Sequence, residues 1–82
     1  MESNLQKKAY FQSRRGLQEL DIILKPFIEN HFSNLKKVDQ LSYMELVDNE
    51  DLDLLDWLVN QTKPPNSLLK IVNLVIEKHL GT

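Results

Sequence analysis

Eighty-two residues with no cysteine predict one small domain over residues 1–82, without disulfide staples, thiolate zinc sites or cysteine nucleophiles. A formal net charge of −2 argues against a dedicated nucleic-acid binder that relies on phosphate neutralisation. The hydrophobic fraction of 41% is enough for a real core, and Lys25, Lys63 and Lys70 interrupt the apolar runs before any could span a membrane.

Along the chain, apolar residues recur at helical spacing, and no Asn-Gly or Asp-Gly turn separates β-branched runs. The pattern predicts an all-α, compact bundle of five helices, at about 4–14, 17–32, 37–47, 51–61 and 67–80. The first carries a weak stripe of Leu5, Ala9 and Phe11. Gly16 either ends it in a left-handed conformation or lets the second helix begin at a sharp angle. The second helix has the strongest stripe, Leu17, Leu20, Leu24, Phe27 and Ile28, widened by Ile23. Glu19 and Asp21 lie in its first turns, where negative charge suits exposed amide groups. Pro26 removes a backbone donor inside it and predicts a kink rather than a break.

Ser33-Asn34 closes the second helix, and Leu41, Met44 and Val47 mark the third. Asn49, Glu50 and Asp51 have the chemistry of a cap and first turn for the fourth, whose stripe is Leu52, Leu55 and Leu58. Pro64-Pro65 forbids continuation, and Asn66 or Ser67 is placed to cap the fifth. That helix carries Leu68, Val72, Val75 and Ile76, with Lys78 and His79 in its last turn before Gly81.

Charge is unevenly spread. Residues 1–25 hold Lys7, Lys8, Arg14, Arg15 and Lys25 against Glu2, Glu19 and Asp21, whereas residues 39–56 hold Asp39, Glu45, Asp48, Glu50, Asp51, Asp53 and Asp56 with no Lys or Arg. This describes one basic and one acidic face, or two faces that attract each other.

Catalytic constellations are absent from the pattern. His31 and His79 are far apart and lack partners at metal-ligand spacing, and two glycines, Gly16 and Gly81, cannot build a phosphate-cradling loop. The run from Glu50 to Asp56 reads as a solvated helix face. No catalytic residue, metal site or cofactor of its own is expected. Trp57, the one tryptophan, reads as a core filler, or as part of an interaction face on a helix with more apolar surface than one stripe needs. The segment Arg14-Arg15-Gly16-Leu17-Gln18-Glu19-Leu20-Asp21 holds both arginines. In one reading it is an exposed junction in which Arg15 and Glu19 pair at i,i+4, a contribution of about 0–1 kcal/mol. In the other, the planar arginine fork and a position without a side chain form a contact point for a partner.

Three elements in order, Arg14-Arg15-Gly16-x-x-Glu19-Leu20-Asp21 with Pro26-Phe27, Asp51-x-Asp53-Leu54-x-x-Trp57-Leu58, and Lys63-Pro64, resemble the small FAD assembly factors of succinate dehydrogenase. The resemblance covers nearly the whole chain. It implies a five-helix bundle that binds the flavoprotein subunit of succinate dehydrogenase, with that of fumarate reductase as a second client. It further implies a chaperone, not an enzyme, that promotes covalent attachment of FAD to a histidine of the client. Carried over residue by residue, Arg15, Gly16 and Glu19 form the client-binding core, Arg14 and Asp21 support it, and Trp57 matches the family tryptophan. The expected protein is a monomer when free, in the bacterial cytoplasm, since no transit segment is seen. Two departures stand out: Leu52 occupies a position where members often have Pro, and Thr62 one where they often have Gly.

Two other classes compete. A nucleic-acid-binding or antitoxin-like protein would use Lys7, Lys8, Arg14 and Arg15 as its basic patch, but the acidic fourth helix is a poor recognition helix. A generic helical adaptor for another partner is the third.

Overall fold

A computed structural model describes residues 4–81. Five helices make up its architecture, and no strand occurs among the described residues. They are α1 (Asn4–Ser13), α2 (Gln18–Asn30), α3 (Lys37–Val47), α4 (Asp51–Leu54) and α5 (Asn66–Leu80). A 3-10 turn (Phe32–Asn34) follows α2, and α4 widens into a π turn (Leu55–Val59).

The α2 helix is central, packing against α1, α5, the 3-10 turn and the π turn of α4, while α3 packs against α1 and α5. Its buried residues, Leu20, Ile23, Leu24, Phe27 and Ile28, follow the spacing of a single helix face, as the sequence predicts. Pro26 does not break the helix: it is exposed on the side away from the buried face, and α2 runs on to Asn30. His31 ends it through a backbone bond to the Phe27 carbonyl at 2.9 Å. In α5, Leu68, Ile71, Val72 and Val75 are buried at the same spacing; Ile71 joins the expected set and Ile76 is partly buried.

Three expected stripes are corrected. In α1 the inner face is Ala9 and Ser13, four residues apart, and Phe11 is 68% exposed. Two residues at 100° each carry Phe11 to the far side of a helix from Ala9. In α3 the buried residues are Tyr43, Leu46 and Val47, with Leu41 half exposed and Met44 partly buried. Tyr43 faces inward, where its ring packs against Phe27 and Phe32 and its hydroxyl finds a partner in Ser13. In α4 the buried residues are Leu54 and Leu58, while Leu55 and Trp57 are partly buried and Leu52 is 73% exposed.

The caps also differ from expectation. Asn49 does not open α4; its amide donates to the Glu45 and Leu46 carbonyls at 3.0 and 3.1 Å, closing α3. Glu50 is the N-cap of α4 and Pro65 that of α5, neither with a side-chain cap bond. In the π turn the Asn60 N–H donates to the Leu55 carbonyl at 2.9 Å. Beyond it, both the backbone N–H and the hydroxyl of Thr62 donate to the Asp56 carbonyl, at 2.8 and 3.0 Å. Gln61 makes this return possible by adopting φ +57°, a left-handed conformation that costs a non-glycine residue energy.

The centre of the core is aromatic. The Tyr43 ring stacks on Phe27 at 5.3 Å between centroids and meets Phe32 edge-on at 5.4 Å. Such pairs add about 0.5–1.5 kcal/mol beyond their buried area.

Candidate functional site

The first helix stops at Ser13 and the second starts at Gln18, so Arg14, Arg15, Gly16 and Leu17 form a short connection. Gly16 takes φ +77°, which settles its conformation as left-handed, and a Cβ added there would meet no atom within 4 Å. The glycine is therefore favoured by the backbone angle, and the space in front of it is open.

Because Arg15 lies outside any helix, the i,i+4 pairing with Glu19 does not form. The Arg15 guanidinium instead reaches α4, where Nη1 is 3.5 Å from Asp51 Oδ1. The Arg15 backbone N–H donates to Asp21 Oδ1 at 3.2 Å. Asp21 thus reaches back from the first turn of α2 and holds the connection in place. Arg15 is 18% exposed on its side chain, and its Nε is buried with no hydrogen-bond partner. An orphaned donor of that kind is costly, so the Arg15 guanidinium is incompletely paired here. Its positive charge is also felt by the buried Tyr43 phenol.

The other candidates distribute as follows. The Arg14 guanidinium lies 5.9 Å from the centre of the Tyr10 ring, a cation–π contact at the α1 edge. Glu19 is exposed, and its carboxylate makes no hydrogen bond or ion pair among the described residues. Trp57 stands on the π turn, partly buried against the core, and its indole N–H makes no hydrogen bond among the described residues. The structure therefore joins Arg15 and Asp21 directly. It places Arg14, Gly16 and Glu19 around them at the surface, and it ties Trp57 to them by no hydrogen bond or ring contact.

Two adjoining surface clefts run from this connection. One is lined by Gly16, Asp21, Ile22, Lys25 and Pro26, the other by Tyr10, Ser13, Arg14, Asp21 and Lys25. Sequence reasoning missed Asp51, Ile22, Lys25 and Tyr10 as parts of this region. For Ile22 a signal existed: Ile22, Lys25, Pro26 and Glu29 fall at i, i+3, i+4 and i+7 and so share one helical face with polar residues and proline. For Asp51, 36 residues from Arg15, none existed beyond the opposite charges of the two regions. Among the described residues no three His, Cys, Asp or Glu side chains gather to hold a metal ion, and no helix is long and apolar enough to cross a membrane.

The family model described as "Flavinator of succinate dehydrogenase" matches residues 7–79. A protein of Acinetobacter baylyi named FAD assembly factor SdhE is 35% identical over 65 residues, covering 79% of this chain and 76% of its own. Proteins of the same name from Pseudomonas aeruginosa and Yersinia pseudotuberculosis are 32% and 33% identical over 73 and 76 residues. These alignments cover 88% and 92% of this chain and 87% and 86% of theirs. With a helical fold and an Arg-Gly-x-x-Glu connection on its surface, the chain belongs to the succinate dehydrogenase flavinator family.

Proposed function

We propose that this protein is an assembly factor that binds the flavoprotein subunit of succinate dehydrogenase and promotes covalent attachment of FAD to it. The observation that carries the reading is the family match across residues 7–79. The relatives are named for assembly of a cofactor into another protein, which fits a chaperone and not an enzyme. The bond is made within the client, and the factor carries no cofactor of its own.

The physical account is conformational. Covalent flavin attachment needs a client histidine and the isoalloxazine ring held in reacting geometry. A small protein that prefers that client conformation by about 1.4 kcal/mol raises its population relative to the alternatives tenfold. In this reading Gly16 lets the client's backbone approach, Arg15 offers its guanidinium, and Glu19 contributes an exposed carboxylate. Arg14 and Asp21 support them, and Trp57 adds a half-buried aromatic edge. Asp21 bonds the Arg15 backbone N–H, and Glu19 makes no hydrogen bond or ion pair with Arg15. The free factor acts as a monomer in the bacterial cytoplasm, and the fumarate reductase flavoprotein is a second client.

Co-expression with the succinate dehydrogenase flavoprotein subunit tests the reading. Covalent flavin, read as in-gel fluorescence, should rise when the factor is present, and the two proteins should co-purify. Equal fluorescence with and without it, and no complex, would refute the assignment.

A further inference from the structure

The Arg15–Asp51 contact joins the connection between α1 and α2 to the first turn of α4, at opposite ends of a 36-residue separation. We infer that Asp51 is a positioning residue, which acts on the client through Arg15 by holding the guanidinium ready at the docking surface. The inference rests on the docking role proposed for Arg15 and adds a second element of the fold to it.

Three observations support this. First, the pairing predicted within the motif is not formed: Arg15 precedes α2, so the two residues do not sit one helical turn apart. Second, Asp21 bonds the Arg15 backbone and not its guanidinium, so among these two acids the charged group is directed by Asp51. Third, Asp51 Oδ1 is the hydrogen-bond acceptor found for the guanidinium among the described residues; Nε is buried without one. Asp51 engages Nη1 alone, so the fork is anchored on one side and a client acceptor can take the other. Asp53, two residues on and in the same acidic first turn, is exposed and makes no such contact. It serves as an internal comparison of equal charge.

An arginine ordered before binding spares the complex part of the cost of immobilising a rotamer-rich side chain. That cost corresponds to about a two- to tenfold change in affinity.

Affinity for the apo flavoprotein subunit of succinate dehydrogenase, measured by titration calorimetry, decides the matter. Asp51→Asn should weaken binding about two- to tenfold, Asp51→Glu should restore most of the loss, and Asp53→Asn should leave affinity near that of the parent. In an Arg15→Ala background, Asp51→Asn should bring no further loss, because the group it positions is gone. Equal weakening by Asp51→Asn and Asp53→Asn would reduce the effect to general charge and overturn the inference. So would an undiminished effect of Asp51→Asn in the Arg15→Ala background, or no effect in the parent. Thermal unfolding of each free variant separates these outcomes from loss of fold. If Arg15→Ala alone bound the client as tightly as the parent, the docking assignment of Arg15 would fall, and the positioning role with it.

Discussion

Ser13 on α1 and Tyr43 on α3 share a buried hydrogen bond of 2.6 Å, and the Ser13 hydroxyl also reaches the Ala9 carbonyl at 2.7 Å. A serine hydroxyl has one proton, and the carbonyl can only accept, so Ser13 donates to Ala9 and Tyr43 donates to Ser13. The phenol is thereby satisfied in the centre of an otherwise apolar core, immediately before the Arg14–Leu17 connection.

Truncating the two partners should be unequal. Tyr43→Phe removes the phenol hydroxyl and leaves Ser13 bonded to Ala9, at a cost of about 1 kcal/mol. Ser13→Ala strands a buried hydroxyl and should cost more, about 1–3 kcal/mol. Thermal unfolding reads the difference, at about 4–8 °C per kcal/mol for a chain of this size. A smaller loss for Ser13→Ala than for Tyr43→Phe would contradict the assigned donor direction.

Alkaline pH should destabilise the protein through the same residue. Burial pushes the Tyr43 phenol well above its ordinary value, outweighing the opposing influences of the Ser13 hydrogen bond and the Arg15 charge. The native state therefore keeps its proton where the unfolded state has lost it. This contribution is fully present below about pH 10, the ordinary phenol value, and is lost as pH climbs above it. Unfolding midpoints measured from pH 8 to 11 should fall more steeply for the parent than for Tyr43→Phe; parallel curves would refute the account.

At Gly16, stability and function should separate. Gly16→Ala must hold φ +77° but meets no neighbour, so it should cost only about 1 kcal/mol. Gly16→Arg should cost a similar amount in the free protein, yet abolish client flavinylation by filling the open space in front of the connection. A folded Gly16→Arg variant that supports normal flavinylation would remove this position from the docking surface.

Gln61→Gly should stabilise the protein. The left-handed φ of +57° strains Gln61, and glycine relieves it at some cost in unfolded-state freedom. The expected net gain is about 0.5–1 kcal/mol, seen as a raised unfolding midpoint with client binding unchanged. A loss of stability would show that the Gln61 side chain contributes more than its backbone angle costs.

Legibility varied along the chain for a physical reason. In α2 and α5 the apolar residues occupy one face, so periodicity alone identified Leu20, Leu24, Phe27, Val72 and Val75 as core. In α3 apolar side chains surround the helix, and the choice between the faces of Leu41 and Tyr43 rested on a hydrogen bond from another helix. In α4 the π turn alters the spacing on which any stripe depends. At the candidate site, a junction at Gly16 and the acidic first turn of α2 were readable, because both are local properties, whereas the left-handed conformation of Gly16 was one of two alternatives.

The sequence by itself determined the all-α class, the number of helices, the surface connection around Gly16 and the family, since local preference and short-range order encode each of these. Only the tertiary structure decided that Arg15 pairs with Asp51 and not Glu19, that Asp21 holds the Arg15 backbone, and that Tyr43 lies inside. Those contacts depend on where α1 ends and how α3 and α4 dock. Packing selects such partners across distances that residue spacing does not encode.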